Sequence, residues 1–215
     1  MTVANTLKQF YDALYKRYGA QKWWPAETPF EVMLGAVLTQ NTSWANVARA
    51  LNNLKEAGLF SPSKLHQVDA EQLAELIRPA GYFNIKAKRL KNLLDWLFEN
   101  YQGSVEQMLA DDLSRIRPSL LTVSGVGPET CDSILLYAAH KPTFVVDTYT
   151  YRVLVHHNLI WEDATYEDIK ALFEDNFPED VALYNEYHAL LVRVGKEYCR
   201  PEPRHKGCPL EPFLP

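Results

Sequence analysis

The turn Val123-Ser124-Gly125-Val126-Gly127 joins two stretches of helical pattern, Asp111 to Leu121 and Glu129 to Ala139. Two glycines around one valine allow a sharp reversal. They also present successive backbone N–H groups at the start of the second helix, an arrangement that binds anions such as phosphate. Pro128 suits the first helical position, where its missing N–H costs nothing, and Glu129 complements the helix dipole. An ordinary helix-to-helix turn would use the same residues. Downstream, the extended apolar stretch Pro142 to Val146 ends in Asp147, directly before the helical pattern of Thr148 to Val153. An acid at that place commonly caps a helix N-terminus.

The elements that must position these residues read as nearly all helix. Ala4 to Tyr18, Pro29 to Leu38, Ala45 to Glu56 and Ile85 to Tyr101 carry apolar residues at three and four residue spacing. In the last of these Leu90, Leu93, Leu94 and Leu97 line one face, with Lys86, Lys88 and Lys91 mainly elsewhere. Breakers at Gly58, Ser61-Pro62, Pro79 to Gly81, Gly103, Pro118 and Pro142 give the short connections of a helical bundle. One extended segment cannot make a sheet, so the predicted fold class is all-α. The chain has no solenoid repeat and no linker, and its low-complexity content is confined to a proline-rich tail, Pro201 to Pro215.

With 215 residues, 47% hydrophobic and 23% charged, the chain can bury about 70% of its unfolded surface without disulfide staples. No apolar run approaches the ~20 residues that span a bilayer, and no signal pattern opens the chain, so a cytosolic protein is expected. Cys131, Cys199 and Cys208 are an odd number at irregular spacing, which leaves metal binding or burial in a reducing compartment. The net charge of −5 gives no global pull toward nucleic acid, but Lys86, Lys88, Arg89 and Lys91 form a local basic cluster.

Leu121-x-Val123-x-Gly125-Val126-Gly127-x-x-Thr130, taken with Val146-Asp147-Thr148 and Arg152-Val153, resembles the helix-hairpin-helix plus Gly/Pro-rich loop and Asp signature of the endonuclease III superfamily of DNA glycosylases. The likeness extends from Phe30 to about Gly195 and takes in Gln40-Asn41-Thr42 and Gly81-Tyr82-Phe83-Asn84-x-Lys86-Ala87. It implies two helical lobes with the active-site cleft between them. Residues 29–141 would form one lobe and residues 1–28 plus 142–215 the other. By that likeness Gly125, Val126, Gly127, Glu129 and Thr130 grip backbone phosphate, often with a bound monovalent cation, and Asp147 is the catalytic carboxylate. Phosphate contacts position a protein while the chemistry acts on a flipped-out nucleotide, so a few amides and the Lys86 to Lys91 cluster suffice for binding.

The sequence departs from that family at two places. Bifunctional members carry a Lys nucleophile at the second position after the turn, where this chain has Glu129, and a carboxylate cannot form a Schiff base. Monofunctional hydrolysis is expected instead, with Asp147 stabilising a cation-like transition state and orienting or deprotonating water. Many members also end in four cysteines that hold an iron–sulfur cluster. In register with that pattern Cys208 keeps its thiol, His205, Tyr198 and Leu214 stand in the other places, and Cys199 is one residue off. A zinc site at Cys199, His205 and Cys208 lacks an obvious fourth ligand. No metal or cofactor is therefore expected, with Pro209, Leu210 and Phe213 holding the tail by packing.

Trp23-Trp24-Pro25, Leu34 to Thr42, Arg78 to Leu90 and Leu183-Tyr184 look most like the type III 3-methyladenine DNA glycosylases, which also lack the Lys and the cluster. The likeness implies a base pocket of Trp23, Trp24, Pro25 and Trp44, with Asn41 and Tyr82 as wedges that fill the stack. Electron-rich rings attract a cationic alkylated purine, although core filling is the commoner use for any one Trp, and Asn41 or Tyr82 could serve a cap or a loop. His156, His157 and Lys196 take no assigned role. The expected partner is double-stranded DNA with damaged bases, bound by a monomer that is cytoplasmic, or nucleoid-associated in a bacterium. The rival readings are an endonuclease III-like glycosylase or abasic-site lyase for other lesions, and a DNA-structure binding module without catalysis.

Overall fold

The computed structural model describes residues 2–200 and 202–214, so Pro201 and Pro215 of the proline-rich tail lie outside the described residues. The α-helices are α1 (Val3–Tyr18), α2 (Pro29–Leu38), α3 (Trp44–Glu56), α4 (Pro62–Gln67), α5 (Ala70–Leu76) and α6 (Phe83–Tyr101). They continue with α7 (Val105–Ala110), α8 (Leu113–Leu120), α9 (Pro128–Ser133), α10 (Thr148–His156), α11 (Tyr166–Glu174) and α12 (Val181–Glu197). No strand occurs among the described residues, and the fold class is all-α. None of the helices is long and apolar enough to cross a membrane.

The predicted helices over Ala4 to Tyr18, Pro29 to Leu38, Ala45 to Glu56 and Ile85 to Tyr101 are α1, α2, α3 and α6 with ends shifted by at most two residues. Side-chain caps fix several starts. Thr28 accepts from Glu31 N ahead of α2, with Pro29 at the first position, and Thr165 and Asp168 form a reciprocal capping box at α11. One prediction needs correction. Glu129 to Ala139 is not a uniform α-helix: after α9 the chain widens into a π turn, Ile134–Ala138, closed by Ala139 N donating to Ile134 O. Every side chain of that turn is buried, so packing sets its geometry and the apolar spacing does not reveal it.

The chain divides into two compact units, residues 26–141 and residues 1–25 with 142–215. In the first, α2 is buried from Phe30 to Leu38 and is packed by α3, α6, α9 and the π turn, as befits a helix that is apolar on all sides. Leu90, Leu93, Leu94 and Leu97 of α6 are all in this core. In the second unit α12 packs on α1 and α10, Phe144 stacks on Phe173 at 3.8 Å, and Tyr187 donates to Leu7 O at 2.7 Å. The tail belongs to this unit too. Leu210 is fully buried, Phe213 meets Phe10 at 5.3 Å, and His157 Nδ1 donates to Phe213 O at 3.1 Å.

Candidate active site

Asp147 is the N-cap of α10, in extended backbone at the end of the Pro142 to Val146 stretch. Its Oδ1 accepts from Thr150 N at 2.8 Å and from Thr150 Oγ1 at 3.0 Å. Capping occupies one oxygen, so it does not exclude a chemical role for the other. Oδ2 faces Nε2 of His188 on α12 at 3.8 Å, with the two side chains 13% and 5% exposed. Burial and the Lys196 charge push His188 below the ordinary histidine range, while Asp147 pulls it up.

Gly195, one helical face along α12, allows this approach. A Cβ built there would lie 2.6 Å from Tyr149 Cβ, so only glycine lets α10 come this close. Trp23 meets His188 at 6.5 Å between ring centroids and Trp24 edge-to-face at 6.0 Å. The Trp23 indole nitrogen is buried and makes no hydrogen bond among the described residues. Lys196 places its ammonium 5.8 Å from the Trp23 ring centre and 5.7 Å from that of Tyr149. Asp147, Trp23 and Trp24 thus come together in one unit, joined by His188 and Lys196. Sequence reasoning singled out neither as a site residue. A lone ionisable residue inside the apolar run Tyr187 to Val192 was the available signal for His188.

The hairpin is built in the other unit. Arg117 of α8 grips buried Asp132 of α9 through two hydrogen bonds of 2.8 and 3.0 Å and so locks the helices on either side of it. Gln40 donates to Gly125 O at 3.0 Å and to Thr130 Oγ1 at 2.9 Å, and Arg89 donates to Gln40 Oε1. Gly125 has φ +97°, and a Cβ there would meet the Arg89 stem, with Cδ at 2.8 Å. The first intrahelical bond of α9 runs from Cys131 N to Gly127 O, so the amides ahead of it face out of the helix start. Val126 and Thr130 are buried, leaving Gly127 and Glu129 exposed. The carbonyls of Val123, Ser124 and Gly125 accept from Val126 N, Asn92 Nδ2 and Gln40 Nε2. Each keeps a second lone pair, so the hairpin retains oxygen donors of the kind a monovalent cation takes.

Asn41 and Tyr82 are exposed, Tyr82 by 69%, and both hold left-handed backbone, at φ 54° and 45°. Lys22, Gln102, His140 and Asn158 share this backbone, so it does not by itself set the two apart. The cap of α3 is Ser43 rather than Asn41. Trp44, at the first position of α3, is half-buried, and Pro25 is exposed.

Lys86 requires a correction. It is 1% exposed, and its Nζ donates to Leu38 O and Ala80 O, both at 2.8 Å, so it closes the C-terminus of α2 and is not a phosphate-facing residue. Burial lowers its pKa to about 8. Lys91 likewise donates to His66 O and Val68 O, which leaves Lys88 as the exposed lysine of the expected basic cluster.

Among the described residues no group of His, Cys, Asp or Glu is gathered to hold a metal ion. The tail supplies two thiols, Cys199 and Cys208, both buried, where a four-cysteine cluster needs four, so the donor set does not fit that cofactor. Burial with Cys208 nearby pushes the Cys199 thiol up to about 12, and His205 is exposed with its ring toward His156.

Residues 34–179 match the HhH-GPD superfamily base excision DNA repair protein family. A Methanocaldococcus jannaschii protein that bears a provisional assignment as a DNA repair glycosylase is 50% identical over 95% of this chain and 94% of its own length. Endonuclease III of Thermotoga maritima is 30% identical over 81% of this chain and 76% of its own. Among solved structures, the H. pylori 3-methyladenine DNA glycosylase MagIII bound to 1,N6-ethenoadenine superposes with a TM-score of 0.77 at 31% identity, over 92% of this chain and 98% of that one. The chain belongs to the HhH-GPD superfamily of base excision DNA repair proteins and is a DNA glycosylase of the endonuclease III family.

Proposed function

We propose that the protein is a monofunctional glycosylase that binds damaged double-stranded DNA as a monomer and hydrolyses the N-glycosidic bond of alkylated purines such as 3-methyladenine. The observation that carries the chemistry is Asp147, one oxygen held by Thr150 and the other facing a buried imidazole. As the bond from C1′ to the base breaks, the base leaves with the electron pair and positive charge grows on the sugar. The carboxylate stabilises that charge and takes a proton from the water whose oxygen bonds to C1′. An alkylated purine already carries positive charge, so it departs as a neutral base without a strong general acid. Trp23, Trp24, Pro25 and Trp44 would bound the base, Asn41 and Tyr82 would fill the stack, and Gly125 to Thr130 would hold backbone phosphate. Support for the substrate comes from the adjoining rings of Trp23 and Trp24 and from the likeness to the H. pylori enzyme. Glu129 replaces the amine nucleophile and the tail lacks a cluster's thiols, so we place neither a Schiff base nor an iron–sulfur cluster in the cycle. Its proposed place of action is the cytoplasm, or the nucleoid in a bacterium. The test is chromatography of bases released from methylated duplex DNA, where 3-methyladenine should dominate.

One observation favours a second reading. The Lys196 ammonium already occupies a face of Trp23, and a cationic base would meet like charge there. A glycosylase for an uncharged lesion would not.

A further inference from the structure

Taking Asp147 as the carboxylate proposed above, we infer that His188 is a positioning residue for it, an imidazole from α12 that fixes Oδ2 while Thr150 fixes Oδ1. With Oδ1 tied to Thr150 by two hydrogen bonds, a turn of the carboxylate about its Cβ–Cγ bond would break both, so Oδ2 is left only small shifts that keep Oδ1 in place. His188 stands beside Oδ2 at 3.8 Å, and closing to a hydrogen bond needs a movement of about 1 Å. The ring itself is buried at 5% exposure and edged by Trp23, so it cannot turn away freely. Gly195 and Tyr149 hold α10 and α12 at the separation this contact requires.

The charged groups acting on His188 are Asp147 at the start of α10 and Lys196 on its own helix. Helix α1, also packed on α12, presents Leu7 and Tyr11 to Tyr187 instead. At neutral pH a neutral imidazole has one N–H to offer the carboxylate once that gap closes, and it leaves the negative charge available to the sugar cation. In acid, protonated His188 would neutralise that charge. The same ring touches Trp23, so a base seated there bears on the imidazole that aims the carboxylate.

The experiment compares the wild-type protein, His188→Leu and His188→Gln in single-turnover base release from methylated duplex DNA between pH 5 and 8, with melting temperature and affinity for an abasic duplex measured alongside. Leucine fills the volume without an N–H, and glutamine restores one. Release should fall roughly ten- to hundred-fold in the leucine variant with abasic affinity kept, since misplacing a reacting group by about 1 Å costs on that order. Glutamine should recover much of the rate and move the acid limb of the profile to lower pH. A leucine variant as fast as wild type, a glutamine variant as slow as leucine, or an unmoved acid limb with glutamine would overturn the assignment. If leucine prevents folding, the glutamine profile decides alone. Normal release by Asp147→Asn would instead remove the hydrolytic role of Asp147, so the two failures are distinct.

Discussion

Gly195 and Tyr149 set the distance between α12 and α10: a methyl on Gly195 would lie 2.6 Å from Tyr149 Cβ and 2.8 Å from its ring. Tyr149 follows Asp147 by two residues at the start of α10, and Gly195 follows His188 by two turns of α12, so their contact governs how the carboxylate meets the imidazole.

Gly195→Ala should push these helices apart. The expected loss of stability is about 1–3 kcal/mol, the usual cost of overpacking. Single-turnover release should fall by more than the unfolded fraction explains, because a displacement of about 1 Å at Asp147 can cost on the order of a hundred-fold. Melting curves beside release rates check it: activity that simply tracks the folded fraction would mean the helix spacing has no catalytic consequence.

The local part of this site is legible in the sequence. Asp147 follows an extended stretch and precedes a helical pattern, and Gly125 and Gly127 bracket a turn between helices, so both positions follow from neighbours in the chain. His188 is not legible in that way, because its partner lies on another helix and nothing in the periodicity of α12 points to it. Lys86 shows the opposite failure. Its spacing placed it away from the leucine face of α6, yet its apolar stem is buried and its amine reaches carbonyls at the end of α2. Lysine clusters read as surface until the acceptors brought near by tertiary packing are known.

Lys86→Ala therefore should behave as a core substitution. Two carbonyls lose their donor and a buried stem is deleted, against relief of a buried charge, for a net loss of about 1–3 kcal/mol. The slope of binding affinity against salt should stay unchanged, whereas loss of a phosphate contact would reduce it by about one. The pH dependence has a definite sign. With the folded pKa lowered to about 8, the unfolded chain holds a proton that the folded chain has released between about pH 8 and the ordinary lysine value. Wild-type stability thus gains from this group as pH rises through that window, and the alanine variant should lack the gain in denaturant titrations.

The chemistry of the carboxylate separates hydrolysis from lyase action. Asp147→Asn keeps an oxygen able to cap Thr150 N but removes the charge that stabilises the sugar cation, so release should drop by roughly a hundred-fold or more with abasic-duplex binding retained. Borohydride should trap no covalent adduct in the wild-type protein, and the purified protein should carry no iron. An adduct mapped to Lys196, the amine beside Trp23, would replace the monofunctional scheme with an imine one.

Lys196 also decides between the two substrate readings. Its ammonium lies 5.8 Å from the Trp23 ring centre, so a positively charged base entering beside that ring loses part of the attraction the ring would offer. Lys196→Met keeps the length of the side chain and removes the charge. If cationic stacking selects the base, this variant should release 3-methyladenine several-fold faster relative to an uncharged lesion, while Trp24→Ala should slow 3-methyladenine by roughly ten-fold, since stacking on one aromatic is worth about 1–3 kcal/mol. Core filling predicts another pattern: Trp24→Ala would lower the melting temperature and reduce release of every base together. A wild-type protein that releases uncharged lesions faster than 3-methyladenine, with Lys196→Met narrowing that preference, would reassign the substrate to neutral bases and make Lys196 the residue that repels cationic ones.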